Sequence, residues 1–315
     1  MENNGIETTR RGFLKGAALA VAGAGVAGLA GCAPQGSDAG AGASAGGAAP
    51  ADAANIAWDE EFDVVIIGAG AAGMTAAITV AREGNGKTCL LAEKEPQPNG
   101  NSPFCAGDFS WTTVPDDYYT YLKELAGEHT TTPDEVLRVF ANGLGQVKDW
   151  VVELGAREEE MQILPNGTAE DPYLNIDVVW PELECSYAHA MCTIGGIVRD
   201  DPEYDLKGEP HIFTFLTNRV NEHTDVVDYR TNFAMEELIQ DAAGRIVGAV
   251  IDGKNIKARD GVIMCCGGFE NDPALKENTF GVSTIVPAAG QGNTGDGHRA
   301  CMKVGADFWH MSGLA

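Results

Sequence analysis

The sequence contains no run of 18 consecutive strongly apolar residues, so it predicts no clear transmembrane helix. It also contains no C-x-x-C-H, the motif that attaches haem covalently. Basic residues are scarce, since 21 lysines and arginines stand against 46 aspartates and glutamates, and the net charge is −25. A chain this acidic will not bind nucleic acid non-specifically, and it repels acidic substrates at long range. A carboxylate substrate would therefore need a local cluster of arginines.

The first 57 residues indicate export and tethering. The run 9–15, T-R-R-G-F-L-K, resembles a twin-arginine export signal, and a mildly apolar run follows it. Residues 29–32, L-A-G-C, resemble a lipobox with Cys32 as the lipidated residue; the alternative is a small-residue cleavage site with an incidental cysteine. Residues 33–57 are rich in alanine and glycine, which predicts a flexible tether. We therefore expect a signal peptide over 1–32, a tether over 33–57 and a folded domain over 58–315.

These segments predict a location and one partner. The twin-arginine translocase would export the chain. The protein would then lie on the outer face of the cytoplasmic membrane as a lipoprotein, or in the periplasm or outside the cell if Cys32 is not lipidated. This route carries folded proteins, so a cofactor can be loaded before export.

The most informative stretch is 62–73, F-D-V-V-I-I-G-A-G-A-A-G. Val64–Ile67 predict a buried parallel strand, and Gly68, Gly70 and Gly73 have the G-x-G-x-x-G spacing at a turn into a helix. Gly68 permits the tight turn, Gly70 lets backbone approach a pyrophosphate, and Gly73 lets the helix pack closely on the strand. The helix N-terminus offers N–H groups and partial positive charge to phosphates. The pattern predicts a dinucleotide-binding strand, turn and helix.

A second strand follows at the expected distance. The helix is predicted over 71–83, and the apolar run 88–92 predicts the next strand. Glu93 ends this strand about 20 residues after Gly73, where a carboxylate accepts from a ribose hydroxyl. An ordinary strand, turn and helix is the alternative interpretation.

The middle of the chain predicts helices within one continuous α/β domain. One helix is expected at about 116–126. A second is expected to begin with Thr132 as its cap, Pro133 in its first turn and Glu135 completing a capping box. Six apolar residues then recur at helical spacing as far as Gly155 and are expected in the core. They are Val136, Phe140, Leu144, Val147, Val151 and Leu154.

The second half predicts the rest of the sheet. Residues 211–221 predict a helix and 226–231 a strand. Short strands separated by turns at 241–244 and 252–253 predict a β-meander, and 261–266 predicts a last buried strand. The fold class is therefore α/β, a Rossmann-like domain with a parallel sheet plus a β-meander.

Three further motifs accompany the glycine fingerprint in chain order. They are N-G-N-S at 99–102, G-G-F-E-N at 267–271, and N-T-G-D-G at 293–297, which opens a helix. In this order the set resembles the FAD-binding domain of the fumarate reductase/succinate dehydrogenase flavoprotein superfamily. The branch it resembles most is that of the soluble fumarate reductases and 3-ketosteroid dehydrogenases. The resemblance covers about residues 62–311.

The resemblance implies a set of residues that bind FAD. Those facing the pyrophosphate are Gly68, Gly70, Ala71, Ala72 and Gly73. Glu93 would hold the adenosine ribose with Lys94 beside it. Those along the flavin side are Asn101, Ser102 and Gly107. Ala234 corresponds to backbone that contacts adenine, and the remaining residues near the cofactor are Gly267, Gly268 and Asp296. For Asn101 and Asp296 the alternative is a turn former and a helix cap.

Two departures from the family pattern bear on how FAD is held. Asn99 stands where the family commonly has glycine. The histidine that attaches flavin covalently in the membrane-bound branch is absent from this segment. We therefore expect FAD to be bound non-covalently, and we expect no metal.

The remaining cysteines and histidines carry no assignment. Neither set has the spacing of a zinc site. Cys265 and Cys266 are expected to be small buried residues in a strand, with a strained vicinal disulfide as the alternative. His189, His298 and His310 lie near the cofactor motifs, but none is assigned as an acid or a base.

The resemblance implies an FAD-dependent oxidoreductase that transfers hydride between flavin and the activated C=C bond of a small unsaturated carboxylate, with an unidentified electron donor. One alternative is dehydrogenation of a ketosteroid ring. Another is a non-catalytic FAD-binding lipoprotein or electron carrier. An NAD-binding domain is disfavoured, because Asn101, Ser102 and the T-G-D-G motif would then have no role.

The same resemblance implies that part of the protein is missing. In the family a capping domain follows the T-G-D-G helix and supplies the arginines that bind the substrate carboxylate and deliver a proton. This chain ends at Ala315, soon after that helix. We therefore expect a C-terminal truncation, with the capping domain and the catalytic residues outside this chain and the chain alone inactive.

Overall fold

Two sheets organise the part of the chain that the structure describes. The computed structural model describes residues 56–98, 100–105, 107–128, 130–164, 167–171, 180–194, 212–287, 290–309 and 311. All of them belong to one compact unit, Ser44–Ala315. The predicted signal peptide, the predicted lipobox and nearly all of the predicted tether lie outside the described residues, as do Asn99 and His310.

The glycine fingerprint forms the predicted strand, turn and helix. Strand β1 spans Glu60–Ile67, helix α1 spans Ala71–Glu83 and strand β2 spans Cys89–Ala92. Strands β1 and β2 pair in parallel, from Val64 opposite Cys89 to Ile67 opposite Ala92. A parallel pair requires a crossover, and α1 supplies it.

A small antiparallel sheet and four α-helices are found among the described residues in the middle of the chain. Its strands and helices are β3 (Asp108–Trp111), α2 (Pro115–Ala126), α3 (Asp134–Leu144), α4 (Val147–Glu153), β4 (Gln162–Leu164), β5 (Ala190–Thr193) and α5 (Ile212–Asn221). The strand order in this sheet is β3-β5-β4. Short 3₁₀ helices lie at Ser102–Phe104, Glu158–Glu160 and Ser186–Ala188.

The second half completes the main sheet. Its elements are β6 (Val227–Arg230), β7 (Met235–Gln240), β8 (Ile246–Ile251), β9 (Lys254–Met264), α6 (Pro273–Phe280) and α7 (Asp296–Lys303). The strand order is β6-β2-β1-β9-β8-β7. The first four strands are mutually parallel, and β7, β8 and β9 form the antiparallel meander. The predicted α/β class and the β-meander are confirmed.

The last strand differs from the prediction. Strand β9 is one continuous element of 11 residues, so the end of the meander and the predicted strand at 261–266 belong together. Its first part pairs antiparallel with β8, and it also pairs along its length with β1 in parallel. Cys265 and Cys266 follow the strand, where they are partly buried free thiols. Their predicted place within the strand was wrong.

The predicted long helix was also wrong, and its apolar stripe was right only in part, since Leu144, Val151 and Leu154 are buried. The chain leaves the helix at Gly145, which separates α3 from α4. A Cβ on Gly145 would lie 2.8 Å from the ring of Pro115, so the end of α3 approaches the start of α2 too closely for a larger residue. Val136 and Phe140 are 49% and 53% exposed and are not core residues.

The predicted capping box does not form. Helix α3 begins at Asp134 with Pro133 at the cap position in an extended conformation. The Thr132 hydroxyl instead accepts a hydrogen bond from the Thr130 hydroxyl at 3.0 Å. Thr132 therefore stands one residue too early to cap the helix.

Two apolar layers cover the main sheet. On the face of α1 and α5, Ile66 and Leu91 pack with Met74, Ile78 and Phe215. On the opposite face the buried side chains include Val65, Ile67, Leu90, Ile251 and Ile256. Burial on both faces is what a parallel strand requires, and it explains the unbroken apolar run in β1. Among the described residues, no helix has the length and hydropathy needed to cross a bilayer.

Candidate cofactor-binding site

A cleft of about 380 Å³ lies where β1, β2 and β9 end at the same edge of the sheet. Ligands of open α/β sheets bind outside the carboxyl ends of the strands, so this is the expected place. Ten of the predicted site residues line the cleft. They are Gly68, Gly70, Ala71, Ala72, Glu93, Lys94, Asn101, Ser102, Gly267 and Asp296.

Gly73 and Gly107 do not line it. A Cβ on Gly73 would lie 1.9 Å from the carbonyl oxygen of Gly68, so Gly73 lets α1 pack on the turn, as predicted. Gly107 is buried, and its carbonyl accepts from the N–H of Ile212 at the start of α5. Gly107 thus connects two elements away from the cleft.

Ala234 and Gly268 do not line the cleft, but each is next in sequence to a residue that does. Ala234 lies between Phe233 and Met235, which do line the cleft, and its carbonyl accepts from Asp252. The carbonyl of Gly268 accepts from the N–H of Gly295 at 3.2 Å. Both residues hold neighbouring segments in place.

The turn between β1 and α1 leaves the helix N-terminus open. Gly68 has φ +99°, and a Cβ there would lie 2.4 Å from the Cys265 carbonyl oxygen, so only glycine fits. Gly70 stands at the N-cap position and has no side chain to cap the helix. A Cβ on Gly70 would meet only the Ser102 hydroxyl, at 3.4 Å. The N-terminus of α1 and the positive end of its dipole therefore face the cleft, as an anion site requires, although the N–H of Ala71 already donates to the Ser102 hydroxyl.

Glu93 connects the glycine turn to the end of β2. Its side chain is 6% exposed. Oε2 accepts from the N–H of Ala69 and Oε1 accepts from the N–H of Glu95, each at 2.9 Å. A carboxylate has about four acceptor sites, so two backbone bonds leave capacity for the hydroxyls of a ribose. This donor and acceptor set fits the adenosine end of a dinucleotide.

The part of the cleft next to Glu93 contains residues that the sequence did not assign to the site. The N–H of Phe233 donates to the Glu93 carbonyl at 2.8 Å, which places the buried Phe233 ring beside β2. Met235, Met264 and Cys266 also line the cleft. Burial raises the pKa of the Cys266 thiol to about 12, so the thiol stays neutral. These residues come together through the meander, and no local motif marks them.

A second polar contact crosses the cleft at the start of α7. Lys94 Nζ lies 2.6 Å from Asp296 Oδ2 and donates to the Thr294 hydroxyl at 2.7 Å. The Thr294 hydroxyl in turn lies 3.0 Å from Asp296 Oδ1. Among the described residues that line the cleft, Lys94 is the only basic one.

Asn101 and Ser102, in the loop after β2, line one edge of the cleft. The Ser102 hydroxyl accepts from the N–H of Ala71 at 3.0 Å, and so binds the first turn of α1. Asn101 Nδ2 donates to Glu270 Oε1 at 3.0 Å. A second cavity, of about 550 Å³, shares Ala71, Ala72, Asn101 and Ser102 with the cleft and continues past them toward α4 and α5.

The histidines that the structure describes do not line the cleft. His189 lies beside the small sheet, where its Nε2 is 3.4 Å from the Ser110 hydroxyl and its ring stacks on Tyr118. His298 contacts the rings of Phe269 and Phe308, and burial lowers its pKa. Within the part of the chain that the structure describes, no cluster of three or more His, Cys, Asp or Glu side chains is arranged as a metal site.

The comparisons with known proteins identify the family. A family model described as an FAD binding domain matches residues 63–312. The chain belongs to this family. It is a member of the fumarate reductase/succinate dehydrogenase flavoprotein superfamily, and FAD is its cofactor. The predicted family, fold class and cofactor are thus confirmed.

Curated relatives in this flavoprotein family include two reductases of Eggerthella lenta. The flavoprotein chain is 29% identical to digoxin reductase over 331 residues, which covers 95% of the chain and 55% of the relative. It is 26% identical to urocanate reductase, over 80% of the chain and 39% of the relative. The chain thus spans about half the length, or less, of these relatives.

Solved structures show the same fold for the flavoprotein chain. The 3-ketosteroid-Δ4-(5α)-dehydrogenase of Rhodococcus jostii superimposes with a TM-score of 0.65 at 21% identity. The match covers 84% of this chain and 58% of that one. At this identity the likeness concerns the fold alone.

Proposed function

We propose that this chain is the FAD-binding part of an exported reductase that transfers hydride between flavin and the activated C=C bond of a small unsaturated carboxylate. The observation that carries the proposal is the cleft in which an open helix N-terminus lies beside the buried carboxylate of Glu93. Membership of the family supports the flavin chemistry. The names of the urocanate and digoxin reductases support reduction as the direction.

The residues of the cleft would divide the work of binding. The N–H groups at the start of α1 and in the glycine turn, apart from those of Ala69 and Ala71, would hold the pyrophosphate, and Glu93 would accept from the adenosine ribose. Phe233 and Met235 would pack on the adenine. Bound FAD supplies the hydride chemistry, while the protein binds and orients it. The residues shared by the two cavities, Asn101 among them, would lie along the cofactor as it extends toward its flavin end.

A substrate carboxylate needs fixed positive charge, and the cleft offers little. Lys94, the single basic residue among the described ones that line it, is already paired with Asp296. The curated relatives have about twice the length of polypeptide. We propose that further polypeptide supplies the substrate-binding and proton-donating residues, and that the 315 residues alone bind flavin without turning over substrate.

The scarcity of unpaired basic side chains in the cleft also supports a second candidate function. In that case the chain is a flavin-binding lipoprotein that carries electrons and has no organic substrate of its own. Dehydrogenation of a ketosteroid ring would use the same flavin chemistry. The solved dehydrogenase supports only the fold of such an enzyme.

Export is proposed on sequence grounds alone. Arg10 and Arg11 would direct the folded holoprotein to the twin-arginine translocase, and Cys32 would carry the lipid. The protein would then act on the outer face of the cytoplasmic membrane with an electron donor located there.

An anaerobic assay tests the proposal. Reduced viologen serves as donor, and urocanate, fumarate, acrylate and a ketosteroid couple are offered as substrates. The chain is compared with a version extended with the polypeptide that follows it in its source, both loaded with FAD. We expect substrate-dependent viologen oxidation by the extended protein with an unsaturated carboxylate, and none by the 315 residues.

The other outcomes separate the candidates. Activity of the extended protein only with the ketosteroid couple, with its saturated member oxidised when an artificial electron acceptor replaces reduced viologen, would support the dehydrogenase. An extended protein that binds FAD and exchanges electrons with viologen but accepts no substrate would support the carrier. Equal turnover by both proteins would contradict the inactivity proposed for the shorter one.

A further inference from the structure

Three side chains form a polar triangle at one lip of the cleft. Asn101 follows β2, Glu270 follows β9 and Asn293 precedes α7. Asn101 Nδ2 donates to Glu270 Oε1, and Asn293 Nδ2 donates to Asn101 Oδ1, each at 3.0 Å. Asn293 Nδ2 also lies 3.5 Å from Glu270 Oε1. The triangle joins three segments that are far apart in the sequence.

The three residues have different positions relative to the cleft. Asn101 and Asn293 line it, whereas Glu270 stands behind them. The Glu270 carboxylate packs on Gly268, where a Cβ would lie 2.5 Å from Oε2. Oε2 is buried and has no hydrogen-bond partner among the described residues. Any effect of Glu270 on a bound molecule is therefore transmitted through the two amides.

A carboxylate determines which way an amide points. Ionised Glu270 can only accept, so the NH₂ group of Asn101 must turn toward it. The oxygen of Asn101 then faces Asn293, whose NH₂ group donates to it, and Asn293 Oδ1 is left against Gly267, where a Cβ would approach to 2.6 Å. Without Glu270, either end of the Asn101 amide could face the cleft.

We propose that Glu270 is a positioning residue for FAD binding. It fixes the amide orientations of Asn101 and Asn293, and through them it holds the loop after β2 over the cleft. The inference rests on the cleft being the FAD site, as proposed above. It adds a residue that neither touches the cleft nor belongs to the glycine fingerprint.

The test is a double-mutant cycle on the affinity for FAD. Purified apo-chains are titrated with FAD, and the quenching of flavin fluorescence gives Kd for wild type, Glu270→Ala, Asn101→Ala and the double variant. Glu270→Ala should weaken binding about tenfold, the order expected for losing a hydrogen bond to a charged group. In the Asn101→Ala background the same change should matter less than about twofold, because the 3.0 Å partner of Glu270 is gone and only the 3.5 Å contact with Asn293 remains.

Conservative variants separate positioning from general stability. Glu270→Gln keeps an acceptor oxygen at the same reach and should stay within about threefold of wild type. Glu270→Asp keeps the charge but is one methylene short, so it should lose affinity about as Glu270→Ala does. Glu277→Ala removes the same charge from an exposed site on α6 and should leave Kd unchanged. If Glu270→Ala fails to fold, as judged by circular dichroism, Glu270→Asp takes its place in the cycle.

The outcomes are distinct for the two proposals. A wild-type chain that does not bind FAD would overturn the proposed site and this inference with it. If wild type binds FAD and the Glu270 variant binds equally well, only the role of Glu270 is overturned. An equal loss from the Glu270 substitution with and without Asn101 would also overturn it, because the effect would not pass through the amide.

Discussion

The backbone N–H of Ala69 donates to the buried carboxylate of Glu93 at 2.9 Å, and this bond ties the glycine turn after β1 to the end of β2. The two residues are 24 positions apart in the chain. The bond holds the open N-terminus of α1 and the ribose-binding carboxylate proposed above in one fixed arrangement.

Substitutions at two glycines of the fingerprint should affect different properties: one should abolish FAD binding, and the other should destabilise the fold. Gly70→Val places a side chain where an added Cβ meets only the Ser102 hydroxyl, so the apo-fold should lose less than about 1 kcal/mol. The side chain fills the phosphate position, so FAD binding should disappear. Gly73→Ala forces a methyl against the Gly68 carbonyl and should cost about 2 kcal/mol or more. Urea unfolding of the apo-protein and FAD titration measure the two effects.

A third glycine serves as the control for this pair. Gly143 lies on the exposed side of α3, and a Cβ there meets no atom within 4 Å among the described residues. Gly143→Ala should leave FAD affinity unchanged. Wild-type affinity in Gly70→Val would contradict the assignment of the pyrophosphate site.

Neutralising Glu93 should weaken both the fold and the cofactor complex. Glu93→Gln keeps the shape, but its NH₂ group must face either Ala69 or Glu95, and both of these residues offer an N–H. An unmatched buried N–H costs about 1–3 kcal/mol, so apo-stability should fall by that order and FAD affinity about tenfold or more. Isothermal titration and urea unfolding provide the two numbers. Glu83→Gln, at an exposed position at the end of α1, is the matched control and should change neither.

FAD should be released by denaturation. No histidine is found among the described residues that line the cleft, and burial raises the pKa of both cleft thiols, Cys265 and Cys266. A neutral thiol is a poor nucleophile, so neither should attach the flavin. Acid precipitation of the purified holoprotein should leave a yellow supernatant. Flavin that remains in the pellet would show a covalent bond.

An ion pair at the start of the main sheet should make stability fall in acid. Arg230 binds both carboxylate oxygens of Glu60, at 3.0 and 2.6 Å. The hydrogen bond to Arg230 is the main cause that lowers the pKa of Glu60 from 4.5 to about 2, and Lys254 lowers it further. The pKa is depressed in the folded state, so the pair stabilises fully above pH 4.5 and its contribution is lost as the pH falls toward 2.

The Glu60→Gln variant measures that contribution. Wild type should lose on the order of 1–3 kcal/mol more stability than the variant between these two pH values. Urea unfolding followed across the range gives the difference. Parallel curves for the two proteins would mean that Glu60 has the same pKa in the folded and unfolded chains.

Export should depend on the two arginines, and anchoring on the cysteine. Arg10→Lys combined with Arg11→Lys should retain the protein in the cytoplasm, because the twin-arginine pair is the recognised element. Cys32→Ser should leave the protein exported but unlipidated. Cell fractionation with a lipid-labelling readout distinguishes these states. A double-lysine variant still found on the outer face of the membrane would contradict the export proposal.

The local elements were predictable where one short segment determines its own structure. The apolar run of β1, the glycine turn and helix α1 were recognised because strand burial, φ values and helix packing are all set within about 20 residues. The helix break at Gly145 was missed for the opposite reason. The close approach that accompanies the break is to Pro115, which lies 30 positions earlier in the chain.

The residues of the candidate site were also predicted only in part. Ten of its fourteen predicted residues line the cleft, because the family motifs mark the loops at the strand ends. Phe233 and Met264 were missed, since an apolar residue on a meander strand has the same appearance whether it faces a core or a cofactor. Their FAD contacts, like those of the predicted residues, remain predictions.

The sequence by itself identified the family and the cofactor, through motifs that resemble those of known flavoproteins. It also predicted β1, α1, β2 and the meander, because strand and helix patterns are encoded within short windows. It did not predict the small sheet of β3, β4 and β5. Only the tertiary structure decided which polar groups meet. Lys94 reaches Asp296 across 202 positions, and Asn101 reaches Glu270 across 169. Such pairs depend on which strands lie side by side in the sheet, and no short stretch of sequence contains that information.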